Sequence, residues 1–192
     1  MSHDNENRRQ RWVATLLARP AAVAVTTDPC RPLLASLLAG RLLAEGVLPA
    51  DLGLGAEAMQ QLWRDYFPGP ALHLADGGAT ATPEEADLMR IFVDHRSGRS
   101  EAELWLARIL ARACSGQDHL WQSLGLANRG ELSAIMNQAF GPLAALNTGD
   151  MKWKKFLYRH YCQQDGIYVC PAPSCGVCKD YQRCFGPEDD QN

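Results

Sequence analysis

Four cysteines stand close together near the carboxyl end of the sequence. Cys170, Cys175, Cys178 and Cys184 follow the pattern C-x4-C-x2-C-x5-C. Thiolates are ligands for soft metals, and this proline-containing segment has few apolar side chains around which it could fold. A bound metal centre would supply the missing ordering free energy. The pattern therefore predicts that these four residues are metal ligands.

The spacing of the cysteines leaves the kind of metal centre open. A C-x4-C-x2-C run holds an iron–sulfur cluster in plant-type ferredoxins, although their fourth cysteine lies far downstream. Structural zinc sites usually present two short cysteine pairs, whereas here Cys175 and Cys178 form the one C-x2-C pair. An iron–sulfur type of cluster is favoured on spacing alone, ahead of zinc and of disulfides or chance.

The composition is that of an ordinary globular chain. Its 192 residues are 46% hydrophobic and 21% charged, which is enough for one domain with its own core. The formal charge of −3 argues against a general nucleic-acid binder. The polar start and the lack of an apolar run of about 20 residues predict a cytoplasmic protein with no membrane contact. In that compartment, seven cysteines favour metal or redox chemistry over a disulfide framework.

Apolar residues recur at helical spacing almost throughout, which predicts an all-α fold of about seven helices. Three pairs of a capping residue and a glutamate mark later helix starts: Thr82 with Glu85, Ser100 with Glu103, and Asn128 with Glu131. Pro142 should break the helix that begins near Glu131. A last long helix is predicted from Asp150 to about Gln164.

These elements predict a single helical domain with a C-terminal cysteine-rich metal-binding loop. The predicted organisation is a disordered N-terminus over 1–7, the helical domain over 8–166, the cysteine-rich loop over 167–186 and an acidic disordered tail over 187–192.

One face of the last long helix is predicted to be basic. At about 100° per residue, Lys152, Lys155, Arg159 and Cys162 fall within one sector of that helix. We interpret the three cations as a site that attracts an oxyanion or an acidic partner surface. A solvated helix face without function is the alternative.

Further side chains are candidate ligands with equally plausible structural roles. Cys162 is an additional ligand, a transfer relay or a buried thiol. His119 is either a ligand or a capping or packing residue beside a helix start, and for His160 core packing is the favoured interpretation. Cys30 and Cys114 are predicted to be structural. We predict no catalytic residue.

Taken together, these residues resemble the NifQ family. The resemblance lies in the cysteine pattern, in the preceding Met151–Phe156, Tyr158, Arg159 and Cys162, and upstream in His119–Leu126, Arg129, Glu131, Leu132, Phe140–Ala144 and Asn147. It implies a molybdenum–iron–sulfur cluster, or an iron–sulfur cluster that accepts molybdenum, held by the four C-terminal cysteines.

The resemblance also implies a function. The chain would be a carrier and not an enzyme, and it would donate molybdenum for the iron–molybdenum cofactor of nitrogenase. Its source would be molybdate or another molybdenum compound, and its recipients would be the NifEN scaffold and the NifH iron protein. The alternatives are an iron–sulfur electron-transfer protein and a zinc-stapled helical interaction module.

Overall fold

The computed structural model describes residues 3–164 and 181–186, and this part of the chain is helical with no strand. Seven of the helices in these ranges have ten or more residues, which confirms the predicted all-α fold. Most of the predicted cysteine-rich loop and the whole tail over 187–192 lie outside the described residues. The helices are α1 His3–Ala18, α2 Arg31–Leu42, α3 Ala56–Asp65, α4 Glu85–Asp94, α5 Glu103–Ala113, α6 Leu120–Ser123, α7 Arg129–Ala139, α8 Gly141–Leu146, α9 Trp153–Gln164 and α10 Tyr181–Phe185, with a short 3-10 helix at Val23–Val25.

Helix α2 contributes a row of leucine side chains to the hydrophobic core. Its side chains Leu34, Leu37 and Leu38 are fully buried, and each contributes about 2 kcal/mol relative to an exposed position. Helix α1 packs along α2, α4 packs along α5, and α9 packs on α4. In the described part of the chain, no helix is both long enough and apolar enough to traverse a lipid bilayer.

Two of the predicted helix boundaries near α7 are confirmed. The Glu131 N–H donates to Asn128 Oδ1 at 3.1 Å, so Asn128 caps α7 as predicted. The Glu131 carboxylate in turn accepts from the Ala127 N–H at 3.0 Å. Helix α7 ends at Ala139, and Pro142 lies in the first turn of the separate helix α8.

The other two predicted starts are shifted. Helix α5 begins at Glu103, because the Ser100 hydroxyl accepts a hydrogen bond from Ala102 in the turn before the helix. The predicted cap at Thr82 is wrong: α4 begins only at Glu85 and has no side-chain cap. The Glu85 carboxylate does not reach back to the chain, because it accepts two hydrogen bonds from Arg112 at 2.7 and 2.9 Å.

The N-terminal segment is helical from His3, where the sequence predicted disorder over residues 1–7. The guanidinium of Arg9, with 2% of the residue exposed, explains the difference. It pairs with the Glu45 carboxylate and donates to the Gly125 carbonyl at 2.7 Å. Asn5 also donates to Glu45, so α1 is tied to the body at two successive turns.

The turn after α6 touches the backbone of α2 through two glycines. A Cβ on Gly40 would lie 2.2 Å from the Gly125 carbonyl oxygen, well inside van der Waals contact. Gly125 itself has a φ of +71°, a backbone conformation that residues with a side chain rarely adopt. This contact sets the distance between α2 and the segment 117–123, which forms one wall of the site described below.

We expect Gly40→Ala to destabilise the protein. Alanine would gain about 1 kcal/mol in helix propensity, but the clash with main-chain atoms should outweigh it and lower the free energy of unfolding by about 1–3 kcal/mol overall. Urea denaturation followed by circular dichroism measures the change. Gly141→Ala is the matched control, because its nearest contact would be Ser97 Oγ at 3.5 Å. Equal stability of the two variants would contradict the prediction.

Candidate functional site around helix α9

The loop before α9 is fixed by side-chain bonds to its main chain. The Asn147 amide donates to the Met151 carbonyl and accepts from the Met151 N–H, both at 2.9 Å. Asp150 has a φ of +51°, and its carboxylate accepts from Arg129 of α7 at 2.8 Å. These constraints end the turn at Met151, so α9 begins at Trp153 instead of the predicted Asp150.

Lys154 anchors the first turn of α9 to the segment that precedes and includes α6. Its ammonium donates to the Gly116 carbonyl at 2.8 Å, to Ser123 Oγ at 2.9 Å and to the Asp118 carbonyl. Burial lowers the pKa of Lys154. With this side chain facing inward next to the buried Trp153, the rotation of α9 about its axis is fixed.

The short helix α10 returns to the start of α9. The Lys152 N–H donates to the Cys184 carbonyl at 2.8 Å. The Phe185 ring lies against Gly149, where a Cβ would come within 3.1 Å of Phe185 Cε1. Tyr181 stacks on Phe185 with ring centroids 4.6 Å apart. One predicted metal ligand, Cys184, is therefore held beside the first turn of α9.

The predicted ligands are only partly within the described residues. Cys184 is half-buried on α10, whereas Cys170, Cys175 and Cys178 lie outside the described ranges. Cys162 is half-buried on α9, ten residues beyond Lys152, or about 15 Å along the helix axis. Cys162 and Cys184 therefore lie toward opposite ends of α9. Within 3–164 and 181–186, no three side chains of His, Cys, Asp or Glu converge on a common point.

Cys30 and Cys114 are structural, as predicted. Both are buried, and burial raises the pKa of each thiol to about 12. Their thiol groups are therefore almost entirely protonated at neutral pH, and a protonated thiol is a poor metal ligand.

The predicted basic face is divided between two pockets. Lys152 and Lys155 line a pocket of about 250 Å³ together with Arg183 and His119. We call this the basic pocket; its walls are residues 117–120, 122, 132, 152–155 and 183. Arg159 instead lines a second pocket of about 490 Å³ on another side of α10. The sequence pattern placed Arg159 with the two lysines and missed Arg183.

His119 lies at the helix start where the sequence predicted a capping residue, and its role as a ligand stays a prediction. It is the residue that precedes α6, and its main-chain N–H donates to Gln122 Oε1 at 3.2 Å. It also lines the basic pocket. The sequence could therefore identify its place at a helix start, while its nearness to Lys152 and Lys155 depends on the packing of α9.

His160 lies among aromatic rings in the second pocket. It stacks on Phe156 at 5.9 Å and meets the edge of His95 at 5.5 Å. Burial, together with the neighbouring imidazole of His95, lowers the pKa of His160. These contacts agree with the packing role that the sequence favoured.

Comparison with known proteins identifies the family. A family model described as NifQ matches residues 33–186, a range that contains the basic pocket and all four C-terminal cysteines. The chain belongs to the NifQ family. It is 38% identical over 156 residues to Protein NifQ of Azotobacter vinelandii, a match that covers 73% of this chain and 80% of the relative.

Other NifQ proteins give similar matches. Identity to Protein NifQ of Rhodobacter capsulatus is 35% over 144 residues, which is 74% of this chain and 80% of the relative. Identity to the Protein NifQ homolog of Sinorhizobium fredii is 38% over 138 residues, covering 70% of this chain and 60% of that longer relative. No solved structure matches the chain. NifQ membership assigns the chain a role in nitrogen fixation.

The Lys154 anchor in this NifQ-family chain should be important for stability. We expect Lys154→Met to lower the free energy of unfolding by about 2 kcal/mol, because three oxygen acceptors lose a charged donor. Chemical denaturation measures the change. Lys155→Met, at an exposed position on the same helix, should change stability by less than about 0.5 kcal/mol. Equal stability of the two variants would contradict the anchoring role of Lys154.

The two buried thiols should resist alkylation in the native, metal-free protein. A pKa of about 12, against an ordinary value of 9.0, reduces the thiolate fraction at pH 8 by about a thousandfold. With iodoacetamide, Cys162 and Cys184 should be modified first, and Cys30 and Cys114 only after unfolding. Peptide mass spectrometry follows each site, and rapid native labelling of Cys114 would contradict its burial.

Proposed function

We propose that this NifQ-family chain carries a molybdenum–iron–sulfur cluster and donates molybdenum for the iron–molybdenum cofactor of nitrogenase. The observation that supports this best is the four-cysteine motif of a NifQ-family sequence, whose last member, Cys184, is tied to the folded body through its carbonyl. The cluster is the cargo of the protein, and the protein acts as a carrier and not as an enzyme.

The chemistry of the thiols fits this role. Cys184 is half-buried, so the residue is held by the folded body while part of it remains within reach of a cluster and of a recipient protein. Cys30 and Cys114 are buried in the core and are unsuited to binding cargo. A carrier needs ligands that both bind a soft metal and release it, and thiolates at the protein surface meet both requirements.

The partners follow from the same proposal. Molybdate or another molybdenum compound would be the source, and the NifEN scaffold and the NifH iron protein would be the recipients, all in the cytoplasm. The cations Lys152 and Lys155 at the start of α9 would attract the oxyanion, and Arg159, which lines the other pocket, would attract an acidic surface of a recipient. Cys162 and His119 stay candidates for additional molybdenum ligands, with Cys162 disfavoured as a partner of Cys184 in one site.

Metal analysis tests the carrier role. Protein purified without oxygen should contain iron, acid-labile sulfide and molybdenum, and Cys175→Ser, Cys178→Ser and Cys184→Ser should each lose most of all three. Cys114→Ala is the matched control, because it removes a thiol that the core encloses. Thermal denaturation of each variant verifies that the fold is retained.

The same measurement separates the alternatives. Iron and sulfide without molybdenum, together with reversible reduction, would favour electron transfer. A colourless protein that contains zinc would favour the interaction module. Either result would contradict the proposal, as would loaded protein that transfers no molybdenum to NifEN in the presence of NifH.

A further inference from the structure

We propose that the basic pocket is a receiving site for a tetrahedral oxo-dianion of the molybdate type, immediately beside Cys184. This inference rests on the proposed function, since it concerns the compound from which the molybdenum would come. It assigns that role to Lys152, Lys155, Arg183 and His119, and it removes Arg159 from the set that the sequence pattern suggested.

The pocket is built from three separate parts of the chain. Residues 117–122 form one wall, the start of α9 forms the opposite wall, and Arg183 of α10 completes the lining. The Lys154 ammonium joins the first two walls through the carbonyls of Gly116 and Asp118. The Lys152 N–H joins α9 to α10 through the Cys184 carbonyl at 2.8 Å. The side chains of Lys152, Lys155 and Arg183 are therefore brought together by hydrogen bonds in which these three side chains take no part.

The charge of the pocket suits a small dianion. Lys152, Lys155 and Arg183 supply three positive charges besides that of the anchoring Lys154, and Asp118 is the one carboxylate among the described lining residues. Lysine and arginine side chains are hydrogen-bond donors without acceptors, whereas the oxygens of an oxo-dianion are acceptors. The His119 imidazole adds a further polar group at the same pocket.

The volume of the basic pocket also favours a small anion. Pockets that hold a cofactor or another drug-sized molecule usually measure about 300–1,000 Å³, and the basic pocket measures about 250 Å³. A single small anion fits this volume better than a cofactor does. The second pocket is larger, at about 490 Å³, and Arg159 lies there among Met151, Phe156 and Phe185. Its lining contains one permanently charged side chain, Arg159, and so offers a dianion fewer cations than the basic pocket does.

The position of the pocket connects it to the predicted cluster ligands. Arg183 precedes Cys184 directly in the sequence, and Lys152 is hydrogen-bonded to the Cys184 main chain. An anion bound between these cations would lie next to Cys184, the last cysteine of the motif. The attraction of the cations would thus raise the local concentration of the dianion near that residue.

Binding to the metal-free, full-length protein tests the assignment. Equilibrium dialysis against sodium molybdate, at fixed ionic strength in potassium chloride, should show one site per chain. Lys155→Gln and Arg183→Gln should each weaken binding about tenfold, because each removes a charge-assisted hydrogen-bond donor. Both side chains are exposed, so the substitutions should leave the melting temperature unchanged.

Arg159→Gln is the matched control. It removes the same charge from the same helix region but from the other pocket, so molybdate binding should remain within about twofold of the wild type. Tungstate, which shares the shape and charge of molybdate, should compete for the site. Cys184→Ser should still bind molybdate, because its main-chain carbonyl and the cations are unchanged.

Several results would overturn the inference. These are no molybdate binding to the wild type, an equal loss in Arg159→Gln, or equally strong competition by sulfate. A fourth is a loss of recipient docking in Lys155→Gln and Arg183→Gln with molybdate binding intact, which would make the pocket a protein contact. The carrier proposal is tested by a different result: it would fail if the cysteine variants retained their iron and molybdenum.

Discussion

The candidate site depends on the hydrogen bonds of the Lys154 ammonium. This group gives up part of its hydration, and three oxygens of the segment 116–123 replace the lost water. Successive side chains of a helix are about 100° apart around its axis. Fixing the orientation of Lys154 therefore fixes the direction in which every other side chain of α9 points. Trp153 and Leu157 then face the core, while Lys152 and Lys155 face the basic pocket.

Helix α10 divides the surface beside α9 into two chemically different pockets. Arg183 lines the basic pocket with the two lysines, and Phe185 lines the second pocket with Phe156 and Arg159. A helix of five residues contributes to both because it is held at two points, by the hydrogen bond from Lys152 and by the contact of Phe185 with Gly149. The position of Cys184 between these contacts is thus defined by the folded body of the protein.

The sequence predicted well those features that depend on neighbours along the chain. The Asn128 cap and the break at Pro142 are local, and both are present. The cap at Thr82 failed because Arg112, from another helix, binds the glutamate that the cap needed. Helical periodicity grouped Arg159 with Lys152 and Lys155, since it describes one helix in isolation. It contains no information on α10, whose packing separates Arg159 from the lysines and brings in Arg183. The cysteine pattern predicted four metal ligands, and because three of them lie outside the described residues, this stays a prediction.

The hydrogen bond between Lys152 and Cys184 has a further consequence, because it joins two main-chain groups. Under the carrier proposal, anchorage and coordination fall on different atoms of the same cysteine: the carbonyl oxygen holds α10 in place, and the sulfur would bind the cargo. Loading or unloading at the sulfur would then leave the anchor intact. The proposed carrier could alternate between filled and empty forms while this end of the motif keeps its place on α9.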